Sequence, residues 1–321
     1  MSSKDKYKEF CETTFIPLHA QPWWLDAVCG EDYWDVLLSF SDDKIIAGAL
    51  PYYMVRKYGL RFIKMPPLTD YTAVIINYNL QKNSKLYARL SYQQEIIKNL
   101  ITSLPVVNFY YQQFYPELNN WLPFYWQGFR QTTMYSYCLD KLNDINIVFS
   151  NFKSELRTSI RKAEKQVMVE VSEDLITFYQ INCASFKYNK EKLPYSFEVL
   201  NKLNNALTTR DQKRIYLAKD IKSGVYQAGL YVAYDDRKAY FLLWGIDRRF
   251  AEQRALQLVF WRAIQDFSGI VEEIDFCGSV IPSIERFIRS FGAIPKPCLN
   301  ISKTSNKFFQ IMSIIFNKAY T

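Results

Sequence analysis

The segment IDFCGSVIPSIERFIRSFGA (274–293) holds the side chains best suited to chemistry. A strand ends at Asp275, a Gly-Ser turn follows, and a helix begins at a proline, a residue favoured in the first helical turn. Ligands of open α/β sheets gather beyond the carboxyl ends of strands. Asp275 and Glu285 are therefore candidate proton acceptors, and Arg286 and Arg289 are candidate anion contacts. In the alternative interpretation, Asp275 caps the turn and Glu285 pairs with Arg289 four residues on.

A second cationic group lies on the helix predicted from about residue 150 to residue 166. Apolar residues recur along it at three- and four-residue spacing, which is typical of an amphipathic helix. Another face carries Lys153, Arg157, Arg161 and Lys165. Arg157 and Arg161 at this spacing could contact a phosphate backbone or a nucleotide tail. The alternative is a solvated face opposite the buried one.

Two further side chains limit the possible chemistry. Tyr240, in the predicted strand KAYFLLWGID, could protonate a leaving group if its pKa is tuned, although a chain with 24 tyrosines needs most of them for packing. His19 is the single histidine. With no second histidine to complete a metal site or a triad, we expect a structural role for His19 and no metal. Chemistry would then depend on carboxylates, tyrosines and backbone amides.

Length and composition indicate a globular protein of more than one domain. The 321 residues suit about two domains at ~150 residues each. With 49% hydrophobic and 22% charged residues, general disorder is excluded, and no apolar run reaches the ~18 residues of a membrane span. The N-terminus, MSSKDKYKEF, has no apolar signal core, so we expect a cytoplasmic protein. The net charge of +8 favours an anionic partner or serves solubility alone.

The six cysteines are scattered and include no C-x-x-C pair, so we interpret them as small core residues in a reducing compartment.

Two strand–turn–strand patterns share one plan. They pair residues 34–40 with 44–55, and residues 214–220 with 225–234. Both returning strands carry an Ala-Gly step, which ends at Gly48 in one and at Gly229 in the other. Glycine weakens a strand unless a bulge or a close backbone approach requires it. The recurrence therefore predicts a duplicated unit.

A later correspondence supports the duplication. Residues 106–114 and 272–279 are predicted strands, and each is followed by a proline, a short helix, a glycine (Gly128 or Gly292) and a return strand. A glycine at the end of a helix provides the left-handed cap. We therefore predict an N-terminal domain at 1–145 and a C-terminal domain at 146–321.

Other predicted elements complete this plan. Helices are expected at 91–103, 173–187, 195–208 and 252–268. The tail NKFFQIMSIIFNK (306–318) is short and apolar, with lysines near its ends. We expect it to dock on its own domain; peripheral membrane or partner binding is the alternative.

Three segments resemble a known family. QPWWLDAV (21–28), FKSELRTSIRKAEKQVMVEV (152–171) and DFCGSVIPSIERFIRSFGA (275–293) are similar to the FemAB-like and BioF2-like branch of the GNAT acyltransferase superfamily. The L-R-T-S-I-R-K-A-E-K helix before a V-x-V strand is the most specific part. The resemblance implies an α/β fold with two GNAT-like domains in tandem, each a mixed, mostly antiparallel sheet with flanking helices.

The resemblance also implies a reaction, the transfer of an acyl group onto an amine without a metal. The donor would be acyl-CoA, or aminoacyl-tRNA where the amine belongs to a peptidoglycan precursor. Backbone amides of a splayed strand would hold the developing oxyanion, and the corresponding strand is 238–246, ending at Trp244 and Gly245. Arg248, Arg249 and Arg254 would lie near the donor phosphates.

Two departures from the family keep an alternative open. CoA-binding relatives have a glycine-rich turn where this chain reads DRRFAEQRALQLVF (247–260). Many relatives have a lysine where this chain has Ile288. The alternative to an enzyme is therefore a non-catalytic binding protein of the same fold.

Overall fold

A computed structural model describes residues 1–305, so the tail predicted at 306–318 lies outside the described residues. The chain forms two compact units. The first comprises Met1–Met134 with the described chain from Pro297 on, and the second comprises Tyr135–Lys296. The division therefore differs from the predicted boundary between residues 145 and 146.

The first unit is built on a mixed sheet in the order β1-β2-β3-β5-β12, with β4 beside β2. Its elements in chain order are α1 (Ser3–Thr13), α2 (Pro22–Cys29), β1 (Trp34–Phe40), β2 (Ile46–Lys57), β3 (Leu60–Lys64), β4 (Ile75–Ile76), α3 (Leu86–Thr102), β5 (Phe109–Gln113), α4 (Leu122–Trp126) and the first residues of β6 (Arg130–Leu139).

The second unit has its own sheet, in the order β6-β11-β10-β9-β8-β7. Its elements are α5 (Ile145–Ser150), α6 (Ser154–Ala163), β7 (Val167–Ser172), α7 (Leu175–Tyr188), α8 (Phe197–Thr208), β8 (Lys213–Asp220), β9 (Tyr226–Tyr234), β10 (Lys238–Ile246), α9 (Ala255–Phe267), β11 (Glu273–Asp275), α10 (Pro282–Arg289) and β12 (Ile294–Thr304), whose residues from Pro297 on belong to the first unit.

The two sheets repeat one topology, which confirms the predicted duplication. In each, three consecutive strands pair antiparallel, the third pairs parallel with the next central strand (β3 with β5, β10 with β11), and that strand pairs antiparallel with a final strand. The final strands differ from the expectation, because β12 completes the first sheet and β6 the second. The repeated strand–helix–strand pattern predicts the simpler order, in which each half uses its own return strand.

Gly48 and Gly229 have the same packing role, each in its own unit. A Cβ on Gly48 would clash with Ile96 of α3 and lie 2.9 Å from the carbonyl oxygen of Ile75. A Cβ on Gly229 would lie 2.9 Å from the ring of Phe178, which belongs to α7. Each glycine thus lets a helix side chain pack directly on the sheet, as the close-approach argument predicted.

The helix predicted from about residue 150 to residue 166 corresponds to α6 and is shorter than predicted. α5 ends at Ser150 and α6 spans Ser154–Ala163, while the last apolar residue of the predicted stripe, Val167, already begins β7. The Asp144 side chain accepts hydrogen bonds from two amides at the start of α5, which gives this short segment a helix start of its own. The buried face of α6 is the predicted one: Leu156, Ile160 and Ala163.

The positive-φ glycines follow the prediction as well. Gly128 and Gly292 have φ of 77° and 75°, and both follow a helix end. Cys138 and Cys298 are buried, and the other four cysteines are half-buried. Within residues 1–305, no helix is long and apolar enough to cross a membrane, and no group of three acidic, histidine or cysteine side chains is arranged to hold a metal ion.

Candidate active site

The site is organised by the edge of β10. β9 pairs with β10 along almost its whole length, from Ala239 to Ile246. On its other edge, β10 pairs with β11 only at Lys238, Ala239 and Tyr240, because β11 ends at Asp275. The two parallel strands therefore separate after Tyr240, as the resemblance implied for this strand.

The direction of the backbone groups on this edge follows from the ladder. The Asp247 amide donates to the Gln227 carbonyl (2.7 Å), which marks a hydrogen-bonded pair. Because such pairs alternate in an antiparallel ladder, Gly245 faces β9, while Trp244 and Ile246 direct their N–H and C=O groups away from it. The register shift between Phe241 and Leu243 is a β-bulge, which changes the alternation just before this point. The Trp244 N–H is thus a backbone donor on the separated edge.

Gly245 has a packing role. A Cβ at this position would lie 2.8 Å from the Asn182 Cα and 3.0 Å from the Ile181 carbonyl oxygen. α7 therefore approaches β10 too closely for any side chain at 245. The side chain of Trp244 points to the opposite face, where its ring lies 5.9 Å from the rings of both Phe260 and Phe287.

Aromatic rings fill the core on that face. Phe260 of α9 has ring contacts with Phe241, Phe276, Phe287 and Phe291, at centroid distances of 5.1 to 6.0 Å. Packing of this kind fixes the positions of α9 and α10 relative to β10. This aromatic cluster therefore supports one face of β10 beside Trp244.

The turn between β10 and α9 contains the three predicted phosphate contacts. Asp247 accepts from the backbone N–H and the guanidinium of Arg249, and this hydrogen bonding lowers the pKa of Asp247. The Arg248 guanidinium lies over the Tyr188 ring, 5.5 Å from its centroid. Arg254 directly precedes α9 and has a φ of 59°, in the left-handed region.

The conformation of Arg254 bears on the missing glycine. Glycine is favoured at positive φ because it has no Cβ, yet here the turn forms with an arginine. Among the described residues no side chain caps the N-terminus of α9. Its first-turn amides and the helix dipole favour an anion there. Arg248 and Arg254 add positive charge to the same turn, although the Arg254 guanidinium forms a long ion pair with Glu252 (3.9 Å). The residues present thus fit a phosphate in charge and in backbone direction.

Asp275 and Tyr240 lie side by side in the core. They are register partners in the parallel pair, so their side chains share one face, and each is 1% exposed. The Ser136 hydroxyl donates to Asp275 Oδ1, and the Cys277 amide donates to the same oxygen (2.8 Å). Gly278 follows, and a Cβ on it would clash with the Tyr135 carbonyl. Asp275 thus caps the turn, in line with the structural interpretation.

Glu285 lies on α10 in a hydrogen-bonded ion pair. Its carboxylate accepts from Arg289 Nε (2.6 Å) and from the Tyr137 hydroxyl (2.9 Å). These bonds, that of Arg289 foremost, lower the pKa of Glu285. Burial and the bond to Glu285 raise the pKa of Tyr137. Arg286 is exposed on the same helix.

The α6 arginines make local contacts. Arg157 donates to the Ser150 carbonyl (2.8 Å) at the end of α5, and Arg161 lies over the Phe149 ring at 5.7 Å. Lys153 forms an ion pair with Glu155 (3.5 Å). The predicted cationic face exists, and part of its charge is already engaged.

Three residues of the site carried no sequence signal: Ser136, Asn182 and Tyr195. Asn182 donates through Nδ2 to the Trp244 carbonyl (2.7 Å) and accepts from the Tyr195 hydroxyl (2.5 Å). Their partners are far away in the sequence, so no local periodicity or spacing could have indicated them.

Comparisons with known proteins agree with this geometry. Residues 150–282 match the family model described as Acetyltransferase (GNAT) domain. The fold is similar to FemX (TM-score 0.67, 12% identity, 97% of this chain and 98% of that one). It is also similar to the C-terminal domain (DUF2156) of a protein from Agrobacterium fabrum named as a lysylphosphatidylglycerol synthetase (TM-score 0.55, 11% identity, 98% of this chain and 94% of that one).

A third similar structure is a tandem GNAT protein from the clavulanic acid biosynthesis pathway (TM-score 0.51, 10% identity, 95% of each chain). No curated protein matches the chain. At these identities the structures show the fold alone. The family model covers most of the second unit, which contains the separated strands β10 and β11. Residues 150–282 thus match the GNAT acetyltransferase domain, and the whole chain has the fold of tandem GNAT proteins such as FemX.

Proposed function

We propose that this protein is an N-acyltransferase that moves an acyl group from acyl-CoA to an amine by direct attack. One observation carries the proposal: β10 separates from β11 after Tyr240 and directs the Trp244 N–H away from β9, towards the separated edge. A backbone N–H at such an edge can bind a carbonyl oxygen without any side-chain acid.

In the proposed step the amine nitrogen attacks the thioester carbonyl carbon. The carbonyl oxygen takes up negative charge, which the Trp244 N–H stabilises, and the C–S bond then breaks to release the thiolate. The amine proton is lost to a base, and the thiolate is neutralised by a proton. A single oxyanion donor is worth about 10²–10³ in rate in other acyl-transfer enzymes.

Glu285 suits the base better than the other candidates. Its side chain is 25% exposed, whereas Asp275 and Tyr240 are each 1% exposed and lie in the core. The lowered pKa of Glu285 keeps it ionised at neutral pH, as a base requires, but it also limits its strength. Asp275 would then support the turn before α10.

The α9 turn would bind the donor phosphates. Arg248 and Arg254 would neutralise charge, the first-turn amides of α9 would donate hydrogen bonds, and the ion pair of Arg249 with Asp247 would hold the turn. Arg286, which is exposed on α10, is a further anion contact in this proposal, whereas Arg289 is engaged by Glu285.

Isothermal titration with acetyl-CoA tests this function. We expect Arg248→Gln and Arg254→Gln each to weaken binding by about tenfold, the usual effect of losing a charged hydrogen bond. Arg262→Gln is the matched control, because Arg262 lies about two turns into α9, away from its N-terminus, where it pairs with Asp266. Absence of heat with millimolar acetyl-CoA would remove acyl-CoA as the donor.

Aminoacyl-tRNA is the second candidate donor, with a peptidoglycan-precursor amine as acceptor. The observation in its favour is the exposed cationic face of α6 and its flanks, which includes Arg161, Lys162 and Lys165. Contact with four phosphates would weaken binding by about 10²-fold between 50 and 200 mM salt. A flat salt response would exclude this donor, and failure of both donors would favour the non-catalytic alternative.

A further inference from the structure

We propose that Asn182 and Tyr195 are positioning residues for acyl transfer, which hold the open edge of β10 in its reactive shape. The inference rests on the proposed function, because it assigns a role to residues behind the same edge. Neither side chain needs to touch the substrate.

The contacts form a short buried chain from α7 to the strand. Asn182 is 1% exposed and Tyr195 is 9% exposed. The Tyr195 hydroxyl donates to Asn182 Oδ1 (2.5 Å), and Asn182 Nδ2 donates to the Trp244 carbonyl oxygen (2.7 Å). Both ends of the Asn182 amide are thereby used, one as an acceptor and one as a donor.

Asn182 takes the place of a missing strand. In a closed sheet the outward C=O of Trp244 would accept from the next strand, but β11 ends at Asp275. The amide of Asn182 fills that role from α7. It can do so because Gly245 has no Cβ, which lets the helix backbone come close to the strand.

The reason to satisfy this carbonyl is electrostatic. Trp244 directs its C=O and its N–H to the same side of the strand. An unpaired carbonyl there would place the negative end of a dipole beside the developing oxyanion and oppose the N–H donor. The Asn182 amide neutralises that dipole and fixes the peptide unit on the C-terminal side of the Trp244 Cα.

Tyr195 sets the direction of the Asn182 amide. A hydroxyl that donates to Oδ1 leaves the NH₂ group facing Trp244, whereas the flipped amide would present oxygen to oxygen. Burial raises the pKa of Tyr195, so the hydroxyl keeps its proton across the working range of pH. The pair therefore selects one orientation.

The test uses acetyl-CoA with hydroxylamine as a simple amine and follows the free CoA thiol. In Asn182→Ala and Tyr195→Phe we expect kcat to fall by about 10- to 100-fold, with KM for acetyl-CoA changed by less than about threefold, as for loss of transition-state geometry. The matched controls are Asn204→Ala and Tyr231→Phe. They break an equivalent bond, from the Tyr231 hydroxyl to Asn204 Oδ1 (3.2 Å), that does not reach β10.

A spectroscopic measurement keeps the test independent of turnover. The carbonyl stretch of bound, carbon-13-labelled acetyl-CoA should move towards its free value in Asn182→Ala and Tyr195→Phe, and should stay at the wild-type value in both controls. If Asn182→Ala does not fold, Tyr195→Phe, which removes one oxygen atom, carries the measurement.

The outcomes separate the two proposals. If wild-type protein neither binds nor turns over acetyl-CoA, the acyl-CoA function fails, and the inference fails with it. If wild-type protein binds acetyl-CoA but the variants keep its kcat and carbonyl stretch, or only KM rises, the function stands and the positioning role is wrong.

Discussion

Lowering the pH from 7 to 5 should destabilise the first unit through His19. The ring is fully buried, Nδ1 lies 2.8 Å from the Tyr115 hydroxyl, and the Trp24 ring packs edge-on at 4.7 Å. Burial lowers the pKa of His19 to about 3. An exposed histidine in the unfolded chain has a pKa of about 6.5.

The sign and the size of the change in unfolding free energy follow from proton linkage. Between pH 6.5 and pH 3 the unfolded chain binds a proton at His19 that the folded chain does not, so stability falls as the pH falls. The slope approaches about 1.4 kcal/mol per pH unit. From pH 7 to pH 5 the loss of unfolding free energy amounts to about 2 kcal/mol.

Urea unfolding of wild-type protein and of His19→Gln at pH 5, 6, 7 and 8 measures this loss. Carboxylates and the N-terminus titrate in both proteins, so their contributions cancel in the difference. His19 is the single histidine of the chain, so no other imidazole contributes. The advantage of wild type over His19→Gln should shrink by about 2 kcal/mol between pH 7 and 5. A difference that stays constant over this range would refute a neutral, buried His19.

Three further predictions concern the backbone and the site. Arg254→Gly should be more stable than Arg254→Ala by about 1 kcal/mol, because only glycine adopts a φ of 59° without strain; denaturant midpoints would show it, and equal midpoints would contradict it. Gly48→Ala and Gly229→Ala should each cost about 1–3 kcal/mol in thermal unfolding, since each Cβ would meet a packed helix side chain; no loss at either site would mean that the helices can shift. Arg289→Gln should raise the pKa of Glu285 and move the acid limb of kcat/KM to higher pH; an unmoved limb would exclude Glu285 as the base.

Local patterns in the sequence predicted much of the fold. The hairpins at 34–55 and 214–234 follow from short alternating segments around turn residues, and both form. Gly48 and Gly229 mark the places where a helix packs on the sheet, because glycine in a strand needs such a reason. The helix-ending glycines, Gly128 and Gly292, were predictable on similar grounds.

Pairings between distant segments were not predictable in this way. β12 completes the first sheet and β6 the second, and nothing in either strand's own residues distinguishes this from the simpler order. The contacts of Ser136 with Asp275 and of Asn182 with Trp244 join residues 139 and 62 positions apart. A single sequence carries no record of such contacts, since each partner looks ordinary in its own segment.

The two departures from the family pattern have different physical meanings. At the α9 turn the absent glycine does not remove the turn, because Arg254 adopts the left-handed conformation that glycine would favour and leaves the helix N-terminus uncapped by the described side chains. At Ile288 the departure removes a cation altogether, since this side chain is 1% exposed in the core of the second unit. A lysine there would be buried unless α10 were rotated. The neighbouring Arg289 is exposed instead and holds Glu285, so on α10 the charge has moved from a phosphate contact to control of the proposed base.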